Sequence, residues 1–153
     1  VMYEAAKHDG ASVVEILQNC IIFADKTHGE VTDREHKDER QLILRHGEPM
    51  IFGKNMDKGI MLVGNKLEVV TIGENGVTEK DLLVHDQYSK DPGIHRMIGR
   101  MRPPFFPVAM GVIRSAPYET YDDLMEAQLE HAKKSSKIQS VDDLLRSGDT
   151  WEI

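Results

Sequence analysis

One cysteine, Cys20, stands among 153 residues, so no internal disulfide can form. A single thiolate also cannot build a zinc or iron–sulfur centre, which disfavours both a disulfide-stapled secreted scaffold and a Cys-ligated metal domain. Long apolar runs are missing too. The cleanest stretch, Gly59-Ile60-Met61-Leu62-Val63, falls far short of the roughly 20 residues that a spanning helix needs. No basic-then-apolar segment opens the chain. A cytoplasmic protein with no membrane partner is expected. Basic charge is equally scarce: the formal net charge is −7, whereas a phosphate-binding surface needs a stripe of Lys and Arg. Nucleic acid is therefore not an expected partner. What remains, 40% hydrophobic and 29% charged residues, fits one ordinary domain or two small fused pieces.

The opening residues, Val1 to Gly10, read as the last turns of a helix closed by glycine, with no cap before them. The chain is expected to begin inside an element. Ala11-Ser12-Val13-Val14-Glu15-Ile16-Leu17 is β-branched and nearly all apolar, the pattern of a strand buried on both faces of a parallel sheet. Helix, glycine, strand is the rhythm of a doubly wound α/β fold, whose ligands sit beyond the carboxyl ends of strands, here Gln18-Asn19-Cys20. Asp25 to Arg40 is crowded with charge and lacks an apolar period, so an exposed loop or irregular helix and a boundary are expected there.

Leu42-Ile43-Leu44, Met50-Ile51-Phe52, Gly59 to Val63 and Leu67 to Ile72 are short apolar runs between turn residues, as in small antiparallel strands and hairpins. Gly64-Asn65-Lys66 is the clearest tight turn. Thr78 with Asp81, Thr120 with Asp123 and Ser140 with Asp143 have capping-box spacing and predict three helical starts. Asp91-Pro92 opens another short helix, to about Met101, and Pro103-Pro104 prevents its continuation. Pro107 to Ile113 reads as extended. The helix after Thr120 runs towards Lys133 and Lys134, whose charge suits the negative end of its dipole.

Motifs that carry chemistry are few. The seven histidines, His8, His28, His36, His46, His85, His95 and His131, never fall four apart, and each reads as a surface or packing residue before it reads as a ligand. There is no Gly-x-Ser-x-Gly elbow, Walker loop or Gly-x-Gly-x-x-Gly. Gly73-Glu74-Asn75-Gly76 is a turn on the same reasoning. Cys20 admits three readings: a small buried hydrophobe at a strand end, a residue lining a cofactor pocket, or a nucleophile, the last least favoured because no histidine or cation is near in sequence. Asn19 either caps the strand end or offers its amide to a substrate oxygen. No catalytic residue and no metal ligand is assigned.

Four segments carry a resemblance. Glu15-Ile16-Leu17-Gln18-Asn19-Cys20-Ile21-Ile22-Phe23 resembles the last strand and loop of the pyrophosphate domain in 2-oxoacid:ferredoxin oxidoreductase β subunits. Arg45 to Gly53, Gly73 to Asp86 and Pro107 to Arg114 resemble the C-terminal extension of those subunits, in the same order, and Gln-Asn-Cys with His-Gly-Glu-Pro is closer to the 2-oxoglutarate-type branch. The resemblance implies the C-terminal fragment of a thiamine-diphosphate-binding doubly wound domain (1–25), a small α+β extension (26–134) and a helical tail (135–153). It also implies oxidative decarboxylation of a 2-oxoacid on thiamine diphosphate with Mg²⁺. Coenzyme A would take the acyl group, and electrons would pass through iron–sulfur clusters to ferredoxin or flavodoxin.

On that resemblance Asn19 and Cys20 are the cofactor-facing residues, and the chain works in a hetero-oligomer with an α subunit. The family's Gly-Asp-Gly motif for Mg²⁺ and diphosphate is not in this sequence, nor are cluster cysteines, and Ala24-Asp25-Lys26 stands where Asn-Asp-Gly is usual. The chain alone is thus expected to be inactive. A second reading, a stand-alone assembly module without catalysis, is carried beside it. Lys90, Arg96, Arg100 and Arg102 make a basic patch, either a dock for acidic ferredoxin or, as is more usual, a solvated helix face.

Overall fold

The computed structural model describes residues 1–149 and residue 151, so part of the expected tail, Thr150, Glu152 and Ile153, lies outside the described residues. The chain forms two compact units. The first holds Val1–His8 and Ser12–Pro117, and the second holds Asp9–Ala11 and the chain from Tyr118.

The first unit is a mixed α/β body. It begins with helix α1 (Met2–Lys7), followed after a long loop by two single turns, α2 (Gly29–Thr32) and α3 (Lys37–Arg40). These two turns are what the charged 25–40 region folds into. Strands β1 (Gln41–Ile43), β2 (Ile51–Phe52), β3 (Lys58–Val63) and β4 (Lys66–Thr71) come next, then a 3₁₀ turn (Glu79–Asp81), helix α4 (Gly93–Gly99) and strand β5 (Val108–Met110). The order β2-β3-β4 makes an antiparallel sheet. Its hairpin closes through Gly64-Asn65, with Val63 paired to Lys66 and Gly64 at φ +60, the conformation that a two-residue hairpin loop asks of glycine.

Two strand expectations fail. β1 does not join an antiparallel meander but pairs in parallel with β5, Gln41 opposite Val108 and Ile43 opposite Met110. An extended run after Pro107 was legible, but its partner lies far back in the chain, beyond what local punctuation reports. Ala11 to Leu17 forms no strand at all, and Val13 is 98% exposed. A strand buried on both faces needs neighbours to take its N–H and C=O groups, and among the described residues none of the five strands lies beside it.

Leu42, Leu44, Met50, Phe52, Ile60, Leu67, Ile98 and Met101 make one buried cluster, which draws on β1 to β4 and α4. Alternation along β1 and β2 puts Leu42 and Phe52 inward. Two glycines sit where a methyl group would not: a Cβ on Gly59 would lie 2.5 Å from the Leu82 methyls, and one on Gly111 (φ +120) 2.9 Å from the Leu44 carbonyl oxygen. The ammonium of Lys58, with the Lys54 N–H, holds the Glu39 carboxyl below its ordinary range and ties α3 to β3.

The second unit contains helix α5 (Tyr121–Ser135) and helix α6 (Val141–Leu145). Both start where expected, each with a full capping box: Thr120 with Asp123, and Ser140 with Asp143. Neither helix buries a residue. No helix among the described residues is long and apolar enough to cross a membrane.

Candidate functional site

Asn19 and Cys20 lie in one tight loop that the backbone largely dictates. The Ala24 N–H donates to the Cys20 carbonyl at 2.8 Å, the Thr27 hydroxyl to the Ala24 carbonyl at 2.9 Å, and the Gly29 N–H to the Lys26 carbonyl at 2.9 Å. Lys26 takes a positive φ of 57, which a non-glycine residue adopts only when its surroundings hold it there. Asn19 supplies that hold. Its Oδ1 accepts the Lys26 N–H at 2.8 Å, and its Nδ2 donates to Asp25 Oδ1 at 3.1 Å.

Beside the loop is a cleft of about 230 Å³ lined by Leu17, Asn19, Lys26, His28, Gly29, Thr32 and Asp33. Its lining mixes an amide, an ammonium, an imidazole, a hydroxyl and a carboxylate, a set that orients a small polar molecule through hydrogen bonds. Cys20 does not line it. The thiol is exposed, and the backbone N–H groups of Phe23, Ile22 and Ala24 hold it below the usual thiol range. The reading of Cys20 as a buried hydrophobe at a strand end is therefore overturned: there is no strand, and its neighbours Ile21, Ile22 and Phe23 are exposed with it. Among the described residues no group of three or more His, Cys, Asp and Glu side chains is gathered to hold a metal ion.

A second cluster was not visible in the sequence. His85 and His95 are 2% and 5% exposed, with ring centroids 6.2 Å apart and planes nearly perpendicular. The Nε2 of His85 lies 2.9 Å from the Val112 carbonyl, and that of His95 lies 2.8 Å from the Asp86 carbonyl. His46 joins them at the surface, Nδ1 3.6 Å from Asp86 Oδ1 and its ring edge-on to Tyr88. Burial pushes the His85 imidazole below its ordinary value, against the opposing pull of the Val112 carbonyl. The reading of histidines as packing residues holds for His85 and His95. Their ten-residue separation follows no regular period, so only the fold discloses the pairing.

Of the basic patch, Arg102 is committed to the end of α4, donating to the Gly99 carbonyl at 3.0 Å and to the Met101 carbonyl at 2.8 Å. The Lys90 carbonyl accepts from Arg114 at 3.2 Å. Arg96, in the last turn of α4, and Arg100, its cap, complement the helix's negative end.

No family model matches the chain, and no solved structure matches it. Along its whole length the chain is similar to the 2-oxoglutarate oxidoreductase subunit KorB of Mycobacterium tuberculosis, 33% identical over 156 aligned residues. The match takes in 100% of this chain and 41% of that relative, so the chain spans about two fifths of the relative's length. The resemblance to 2-oxoacid oxidoreductase β subunits is borne out by this relative.

Proposed function

We propose that the chain is the C-terminal part of the β subunit of a 2-oxoacid oxidoreductase, acting on 2-oxoglutarate within a complex with an α subunit. Similarity over the full chain to a 2-oxoglutarate oxidoreductase subunit carries this reading. In the whole enzyme thiamine diphosphate supplies the electron sink for decarboxylation, coenzyme A accepts the acyl group, and ferredoxin or flavodoxin takes the electrons by way of iron–sulfur clusters. The residues present here do not fit the diphosphate and its Mg²⁺: hard cations need several oxygen donors in one place, the sequence has no Gly-Asp-Gly, and no metal-holding group is gathered among the described residues. No catalytic step is derived through that cofactor from this chain.

What the chain contributes, on this proposal, is the Asn19–Lys26 loop. Asn19 fixes the loop through Asp25 and the Lys26 N–H, and the exposed 11–23 segment finds its sheet neighbours in the rest of the subunit, completing the doubly wound fold there. Asn19 and the Cys20 thiol then face the cofactor at a strand's carboxyl end. Two measurements test this. Calorimetry of the isolated chain with Mg²⁺ and thiamine diphosphate should give weak binding or none, and micromolar binding would contradict the division of labour. The assembled complex should reduce a viologen dye only when 2-oxoglutarate and coenzyme A are both present. Assembly without any 2-oxoacid-dependent reduction would instead favour a non-catalytic assembly module.

A further inference from the structure

The segment from Val84 to Asp91 is held on three sides. The His85 N–H donates to the Glu48 carbonyl at 3.0 Å, and its carbonyl accepts the Gly47 N–H at 2.8 Å, joining it to the turn before β2. On a second side, the His85 ring reaches the Val112 carbonyl, the Ser115 N–H donates to the Gln87 carbonyl at 2.7 Å, and Arg114 donates to the Lys90 carbonyl. On the third, His95 of α4 reaches the Asp86 carbonyl. Two of these ties run through imidazole nitrogens, and a carbonyl oxygen can only accept, so each ring must present an N–H there. Both rings are therefore Nε2–H tautomers.

That assignment leaves each Nδ1 as a bare lone pair. Both Nδ1 atoms are buried and have no hydrogen-bond partner among the described residues. Adding a proton to His85 Nδ1 would create a buried N–H without an acceptor, and a charge beside a second imidazole. The ionisable groups facing His85 are His95 from α4, His46 from the turn before β2, and Asp86 next to it in the chain. Asp86 is the single acid among them. Its carboxylate already accepts the Tyr88 N–H at 3.0 Å and sits 3.6 Å from His46.

We propose that His85 and His95 form an acid-sensitive clasp that fixes the Val84–Asp91 segment while the His85 ring is neutral and lets it go when His85 takes up a proton. What the clasp governs is the attachment of α4 and of the chain after β5 to that segment.

The linkage has a definite sign. Because the His85 value in the folded chain is lowered from 6.5, its contribution is complete above that value and is lost as pH falls through the lower folded one. For a histidine that stays neutral when folded, the unfolding constant rises about tenfold between about pH 7.5 and about pH 5.5. In His85→Gln the carboxamide N–H still reaches the Val112 carbonyl but cannot titrate. Urea unfolding of the full chain at both pH values should show the parent's constant rising more than the variant's, by up to about tenfold. An equal rise in the two proteins overturns the clasp. Should the variant not fold, imidazole ¹⁵N spectra of the parent decide the question alone. Nε2–H rings at both positions, with His85 neutral until the signals of the Val84–Asp91 segment shift on acidification, support the proposal; an Nδ1–H tautomer, or a His85 that protonates while those segment signals stay native, rejects it.

Discussion

Asn19 fastens its own loop by gripping Asp25 with one end of its amide and the Lys26 N–H with the other, at 3.1 and 2.8 Å. Both contacts are exposed, so removing them should disturb position more than stability. If the chain works as proposed, in a 2-oxoacid oxidoreductase complex, Asn19→Ala is expected to lower 2-oxoacid turnover of that complex about tenfold, the equivalent of one hydrogen bond of ~1–1.5 kcal/mol. The urea midpoint should stay nearly unchanged. Steady-state assay of the variant complex checks this, and unchanged turnover would remove Asn19 from the site.

Gly111→Ala should destabilise the chain by about 1–3 kcal/mol, since the new methyl meets the Leu44 carbonyl at a φ that alanine resists. Gly99→Ala is the contrast: it is helical, no atom lies within 4 Å of its Cβ position, and it should be neutral or stabilising by up to ~1 kcal/mol. Denaturant midpoints of the two variants should move in opposite directions or, at the least, differ clearly.

The capping boxes predict acid behaviour. Hydrogen bonds from the side chain and N–H of Thr120 hold the Asp123 carboxyl below its ordinary value, as Thr78 does for Asp81 and Ser140 for Asp143. A depressed folded value means that the stabilisation is present above the ordinary carboxyl range and disappears as pH falls through the lower one. Helical ellipticity should therefore be flat down to about pH 4 and fall below it. In Thr120→Ala the Asp123 titration followed by NMR should move up towards the ordinary value, and no movement would show that the box does not set it.

Cys20 is exposed and its thiol is lowered by the Phe23, Ile22 and Ala24 N–H groups. Alkylation with iodoacetamide should then have a pH midpoint below that of the same chain in concentrated urea, where the turn is lost. Identical midpoints in the two states would mean that the turn does not act on the sulfur.

Short-range chemistry was the legible part of this chain. Thr120 and Ser140 advertise their helices because a cap and its acid lie three residues apart, and Gly64 announces a hairpin because its φ is set within the turn itself. Asn19 and Cys20 were read at the carboxyl end of a strand that does not form, and lie instead in an exposed loop. The failures all concern partners. Val13 and Ile16 spell a buried strand, but burial is a property of neighbours, and no strand among the described residues lies beside them. Likewise Leu42 gives no hint that Ala109 is its partner, and His85 none that His95 faces it, since each pairing is made by the path of the intervening chain.

The parallel register of β1 with β5 also bears on how the first unit assembles. Gln41 and Val108 are the two gates of the stretch of chain that holds the hairpin and α4 between them in sequence. The hairpin joins residues adjacent in sequence, and its ordering costs little loop entropy, whereas meeting at the gates orders everything between them. Unit one should accordingly fold from the inside out, the hairpin first and the β1–β5 seam last, at a rate governed by that distant closure.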